Sequence, residues 1–230
     1  MEPPTVINQN KTLKYDNLNS AVMLAWKKTK HEVICEFRST EILRAACGVF
    51  ARQGFEGATV DDIANAAGLA KGTVYVYFPS KRELYRKAIE QGIAGLIAAT
   101  EQSMQAAPAA VDKIQAFVGA RLRFAEENRD FMALYQAEFG NLRPSHNDKE
   151  LKHFYGQQVA SLEAALAEAV RQGQVRAMRA GSAAFFVYEL TSALVTQRLL
   201  GWSRASVDED VRLLCNLIWK GLEEAKCFRS

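Results

Sequence analysis

The sequence predicts an all-α fold in which a small head of three helices, built round a helix-turn-helix, precedes a larger helical body. Three observations predict it. Apolar residues recur at three- and four-residue spacing from about residue 41 to the end, while the strict alternation of a strand is scarce. Two short helical patterns meet at Gly68, with Thr59 opening the first and Pro79 closing the second. Only five prolines occur in 230 residues, so little else interrupts helices. The implied divisions are an extension over residues 1–36, a head over 37–83 and a body over 84–230.

Within the head, Thr59 precedes Asp61 and Asp62, so a hydroxyl cap and two carboxylates stand where a helix start leaves unpaired amides and a positive pole. Ile63, Ala66 and Ala67 share one face, and the alanines allow a second helix to come close. Gly68 supplies the left-handed residue that ends the first helix. Leu69 fills the angle between the two, and Val74 and Phe78, four apart, anchor the second helix to the same core. Lys71, Gly72, Thr73, Tyr75 and Tyr77 are left to face outward. Lysine donates to guanine edges or phosphate, threonine meets phosphate or a thymine methyl, and tyrosine hydroxyls bond phosphate oxygens. Gly72 has no side chain to hold the backbone off a groove. Pro79 and Ser80 stop this helix and cap the next, which Lys81 opens near where a DNA backbone would pass.

Charge agrees with this orientation. The whole chain carries a net +3, and residues 38–87 alone also carry +3. Lys71 to Lys87 holds five bases and one acid, whereas Glu41 to Asp62 holds two bases and four acids, so the basic side is the reading side. The runs Glu41 to Phe55, Thr59 to Ala64, Gly68 to Phe78 and Ser80 to Leu84 together resemble the amino-terminal domain of the TetR family of bacterial transcriptional regulators. The resemblance covers about residues 38–87, and it is specific as a combination although no single piece is. It implies a helix-turn-helix DNA-binding head, a helical regulatory and dimerisation domain, a homodimer on double-stranded DNA, and release from the operator by a small molecule. Carried onto this sequence, the family's DNA contacts fall on Thr59, Lys71, Gly72, Thr73, Tyr75, Tyr77 and Lys81. Ala70 departs from the hydroxyl or amide residue that caps the reading helix in many members.

Past the head, Leu84, Ala88, Gly95 and Leu96 begin a long connecting helix that runs to about Ala106, where Pro108 interrupts it. Ile114, Phe117, Val118, Leu122 and Ala125 define the next helix, ended near Asn128, and a short one holds Phe131, Leu134 and Tyr135. A loop over Asn141 to Asp148 leads to a helix whose face runs Leu151, Phe154, Tyr155, Val159, Leu162, Leu166 and Val170 and which ends at Gly173. The last two helices, about Ser182 to Leu200 and Asp208 to Lys226, are apolar round much of their circumference. A helix apolar on more than one side needs more than one partner. One single-chain core could cover both sides, but the carboxy-terminal position and the resemblance favour a four-helix dimer surface, with Leu194, Arg198, Val211, Leu214, Ile218 and Leu222 as candidates.

An effector that is largely apolar would lie among Phe117, Phe124, Tyr135, Phe154, Phe185 and Tyr188, though each ring has ordinary core packing as its first explanation. Glu189 has two readings, orienting a cationic or hydroxylated effector or pairing with Arg198 of the other subunit, and the pair is favoured. No GxSxG, HExxH, GxGxxG or P-loop pattern occurs, so an enzyme is not expected, nor is a cofactor. His146 and His153, with Glu150, lack the spacing of a helical metal site, and no metal is expected. Cys35, Cys47, Cys215 and Cys227 are widely separated, which suits reduced thiols. No apolar run reaches membrane-spanning length, so no membrane partner and a cytoplasmic location are expected. Residues 1–36 read as a loosely packed extension in preference to a basic arm. A helical adaptor binding another protein would explain the last two helices but not the basic run Lys71 to Lys81.

Overall fold

The computed structural model describes residues 29–139 and 149–222, apart from the side chains at 31, 139, 149–153, 221 and 222. The described residues are helical with short links and contain no strand. By internal contacts the chain divides into two compact units, Met1–Ile42 and Leu43–Ser230. Helix α1 is Lys30–Gly57, broken at Gly54 (φ 70°, ψ 172°). In the first unit, Thr29 Oγ1 accepts from Glu32 N (3.2 Å) while Glu32 Oε2 accepts from Thr29 N (2.6 Å), a reciprocal cap that starts α1. Arg38 pairs with Glu41 at 3.0 Å, and Val33, Ile34 and Phe37 are exposed.

The second unit contains the turn and the body. Helices α2 (Val60–Ala66) and α3 (Lys71–Tyr77) pack on each other. Thr59 Oγ1 accepts from Asp62 N and Asp62 Oδ2 accepts from Thr59 N, both at 3.1 Å, so two amides at the start of α2 are satisfied. Gly68 has φ 65°, and the turn is closed by Leu69 N donating to Ala64 O at 2.9 Å. A side chain at that φ would be strained, which is why glycine ends α2.

Helix α4 (Lys81–Ala106) starts on Ser80, whose hydroxyl accepts from Glu83 N at 3.1 Å. Helices α5 (Ala110–Glu127), α6 (Arg129–Phe139), α7 (Lys149–Arg171), α8 (Ala180–Leu199) and α9 (Val207–Leu222) complete the body. Helix α5 packs against α4, α6, α7, α8 and α9. Its buried residues accordingly go round the helix: Ile114, Phe117, Val118, Gly119, Ala120, Arg121, Leu122 and Ala125. Gly92 of α4 is where α6 comes nearest, since a Cβ there would stand 2.0 Å from Cδ2 of Phe131. Gly95, one turn on, would place a Cβ 3.3 Å from Phe124. The two glycines form a notch in α4 that takes the edges of two aromatic rings.

Candidate nucleic-acid interface

In α3, Val74 is 0 % exposed and Phe78, just past its end, is buried, which fixes the face turned to the core. The opposite face carries Lys71, Gly72, Tyr75 and Val76, all exposed, with Thr73 and Tyr77 half-buried beside them. A Cβ on Gly72 would meet nothing within 4 Å, so the backbone there is open to a close approach. Lys71 Nζ lies 2.6 Å from Asp61 Oδ2 across the turn. That hydrogen bond, with the charge of Asp61, holds the lysine above its usual range. Ala70 makes no side-chain cap, although its carbonyl accepts from Thr73 N at 2.9 Å.

Behind α3, Phe50, Phe55 and Tyr85 form an aromatic wedge: Phe50 to Tyr85 is 4.9 Å between centroids and Phe55 to Tyr85 is 5.0 Å. Tyr85 donates its hydroxyl to Glu138 of α6, tying the start of α4 to the body. Burial and then the Glu138 bond push that phenol well above its ordinary range, so it remains a donor.

The body holds a chain of aromatic contacts. Phe124 meets Phe131 edge to face at 6.0 Å, Phe131 meets Tyr135 at 5.9 Å, and Tyr135 meets Phe154 edge to face at 5.9 Å. Tyr155 lies 4.7 Å from Tyr188, and Phe117 lies 6.5 Å from the same ring. The Tyr135 and Tyr188 hydroxyls are 2.7 Å apart. Arg121 of α5 donates from Nη2 to Tyr188 OH (3.0 Å) and Ser192 Oγ (3.1 Å). A separate groove of about 560 Å³ opens between α4, α5 and α7, lined among others by Glu101, Met104, Lys113, Ser161 and Glu168, and none of the aromatic cluster lines it.

The sequence pattern of the family described as bacterial regulatory proteins, tetR family, matches residues 42–88. The chain is 46 % identical over 56 residues to the uncharacterised HTH-type transcriptional regulator YfiR of Bacillus subtilis, covering 24 % of this chain and 27 % of that one. It is 28 % identical over 101 residues to the HTH-type transcriptional repressor KstR2 of Mycolicibacterium smegmatis, 44 % of this chain and 49 % of that one. The chain thus spans between about a quarter and a half of the length of these curated relatives. The crystal structure of the TetR-family transcriptional regulator PfmR from Thermus thermophilus carries the likeness into the body: 28 % identity, TM-score 0.65, 80 % of this chain and 99 % of that one. Residues 42–88 are thus a DNA-binding domain of the TetR family.

The residues expected at DNA divide into two groups. Lys71, Gly72, Thr73, Tyr75 and Tyr77 share α3, and Val76, at 81 % exposure, joins them. Val76 has no polar atom and was not expected there, although its place two residues after the buried Val74 puts it on the outer side. Thr59 caps α2. The Lys81 ammonium donates to Phe55 O (2.8 Å) and Ala58 O (3.0 Å) and stands 4.6 Å above the Phe55 ring, so in the free chain it is held at the carbonyls around the end of α1.

In the body, Phe117, Phe124, Tyr135, Phe154 and Tyr188 do come together, but Phe185 is exposed and, among the described residues, meets the cluster at Tyr155, 6.3 Å away. Glu189 is exposed and accepts from Tyr155 OH at 2.5 Å. Its expected partner is committed elsewhere: Arg198 bonds Asp210 and Glu126 of its own chain and the Ala205 carbonyl at 3.0 Å. The pairing of Glu189 with Arg198 of another subunit is corrected accordingly.

Val211, Leu214 and Ile218 are also corrected as dimer candidates, because all three are buried inside the chain where α9 packs on α5 and α8. The outward apolar residues are Leu213 (55 % exposed) and Leu217 (61 %) of α9, with Phe186 (63 %) and Leu190 of α8. Leu194, half-buried, continues that second stripe, and the Leu222 side chain lies outside the described residues. So do Phe139, Glu150, His146, His153 and Cys227, and the expectation for residues 1–28. Among the described residues no helix is long and apolar enough to cross a membrane, and no three metal-ligating side chains cluster.

Proposed function

We propose that the protein is a homodimeric DNA-binding transcriptional regulator, most simply a repressor, that docks α3 of each subunit in successive major grooves of a near-palindromic operator and is released by a largely apolar small molecule. The observation that carries the reading is α3 itself. It is anchored by Val74 and Phe78 and presents Lys71, Gly72, Thr73, Tyr75 and Tyr77 on one open face of a seven-residue helix. One such helix reads few bases, so two heads about 34–36 Å apart are needed to meet one side of the duplex. The repressor named among the relatives supports the sign of regulation.

The reading of release rests on the connection. Helix α4 begins three residues after Phe78 and passes the body with its Gly92 and Gly95 notch against Phe131 and Phe124. Those rings belong to the aromatic cluster, so a ligand that separates the cluster displaces α4 and changes the spacing of the heads. Such a ligand favours the splayed state and lowers DNA affinity by linkage.

The test is fluorescence-anisotropy titration against DNA flanking the protein's own gene, and against a pool of random duplexes, over a range of salt. Each neutralised phosphate contributes a slope of about −0.9 in log K against log salt. Selective, salt-dependent binding that Lys71→Ala and Tyr77→Ala abolish while the dimer persists is the expected result. Failure to enrich any sequence from the pool would sink the reading in favour of a helical protein adaptor.

A further inference from the structure

We propose that Arg121 is the anchor for an anionic oxygen group, a carboxylate or phosphate, on an effector whose apolar part lies in the aromatic cluster; this rests on the reading of the body as a ligand-binding domain and names the ligand's chemistry. Arg121 sits on α5 at 0 % exposure. Of the five N–H donors of a guanidinium, the two on Nη2 are used by Tyr188 and Ser192. Nε and Nη1 are buried and have no hydrogen-bond partner. A buried polar group without a partner is uncommon in folded proteins, and a buried charge ordinarily carries a counter-charge.

Among the described residues no carboxylate lies within ion-pair distance of Arg121; the ion pairs of α5, α7 and α8 belong to Arg123, Arg171 and Arg198. The acid on α8, Glu189, is turned outward to Tyr155. What surrounds the guanidinium instead is aromatic: its carbon is 4.1 Å from the Tyr188 ring centroid and 5.8 Å from that of Tyr135. Burial is the main cause that holds the Tyr135 phenol well above its ordinary range, so it stays neutral and supplies no charge.

Arg198 shows how the same body treats a structural arginine. It too has one unpaired atom, Nε, yet it is held by two carboxylates and a carbonyl. Arg121 has ring faces and the neutral hydroxyls of Tyr188, Ser192 and Tyr135. Ring faces hold a cation while leaving its N–H edges free, and those edges are the part of arginine that recognises carboxylate and phosphate. A molecule with an apolar body and one oxyanion that parts Phe117, Tyr135, Phe154 and Tyr188 would meet those N–H edges.

The experiment is calorimetric titration of the full chain with decanoate, decyl phosphate and decan-1-ol below their aggregation limits, with thermal melts of the free protein alongside. The wild type binds one or both anions about tenfold or more tighter than the alcohol, as a charge-assisted bond requires, and the two anions separate carboxylate from phosphate. Arg121→Met reduces that preference to about unity, while its melting temperature without ligand stays level or rises, as expected when an uncompensated buried charge becomes apolar.

Equal binding of acid and alcohol, no binding of any of the three, or a preference that survives in Arg121→Met overturns the proposal. So does a methionine variant that melts lower with its preference intact, the mark of a purely structural arginine. If that variant does not fold, Ser192→Ala carries the comparison: it frees a donor of Arg121, so the anion preference persists or grows, and its loss overturns the idea. DNA binding is read separately. Anion preference without operator binding removes the regulator reading and leaves the site, and operator binding without anion preference does the reverse.

Discussion

At the scale of single residues, the outer face of α3 is less free than its sequence implies, because Lys71 is already paired with Asp61 at 2.6 Å. Both side chains are about half exposed, so the pair is screened and contributes little to folding. It matters more for DNA, where the carboxylate competes with phosphate for the ammonium and repels the backbone. Asp61→Asn is expected to tighten operator binding about three- to tenfold at low salt, with the gain shrinking as salt rises; an anisotropy titration at two salt concentrations checks it, and an unchanged affinity would place Lys71 away from the duplex. A second residue-scale expectation concerns the thiols. Burial, joined by the charge of Asp130 at Cys47, pushes Cys47 to about 11, and burial pushes Cys215 to about 11. At pH 8 only about one thiol in a thousand is then ionised at either site. Peptide mapping after brief iodoacetamide treatment of the native protein should find both unmodified while the half-exposed Cys35 is labelled. Labelling of Cys47 before unfolding would contradict its burial.

At the scale of helices, the termini carry most of what could be read in advance. Gly68 and Gly173 end helices at φ 65° and 68°, and the link at Pro108 separates α4 from α5, because glycine and proline act through backbone geometry that needs no tertiary partner. The reciprocal cap at Thr59 is of the same kind, and Thr59→Ala is expected to cost about 1 kcal/mol in a urea melt. Which face of a helix looks inward was legible only where one face is polar. In α9 both Val211, Leu214, Ile218 and Leu213, Leu217 make apolar stripes, and only packing on α5 decides that the first is core. Arg121 left a signal that went unread: it falls four residues after Phe117 and four before Ala125, inside the apolar stripe of α5. A charge at a core register is either misplaced or required. Close approach leaves no sequence signal, since nothing about Gly92 as a residue indicates Phe131 above it. Gly92→Ala should cost about 1–3 kcal/mol, because a rigid ring with a carbon 2.0 Å from the new Cβ can only move away with its helix. The same variant should alter DNA affinity if α4 transmits movement to the head; a destabilised protein with unchanged operator binding would assign the notch to packing alone.

At the scale of the molecule, α5 explains how one chain supports both a core and a second surface. Its five neighbours bury residues on several sides of it, so α8 and α9 satisfy their inner faces on the chain's own core and are left with Phe186, Leu190, Leu213 and Leu217 outward. Exposed apolar side chains on two packed helices are the surface that a second copy of the same pair would cover with no new chemistry. Substitution separates this surface from the core beneath it. Leu217→Glu, with or without Phe186→Glu, places charge at positions that are already wet in the single chain, so helicity and melting of the monomer should hardly change. Sedimentation should then show a monomer, and operator affinity should fall by far more than the loss of one phosphate contact, because two heads no longer bind as one unit. Leu214→Ala, one turn before Ile218 on the buried face, should instead cost about 2–5 kcal/mol of stability and leave the assembly state of the folded fraction unaltered. If Leu217→Glu stays dimeric and Leu214→Ala dissociates, the assignment of the two faces is reversed and the chain must open α9 to pair.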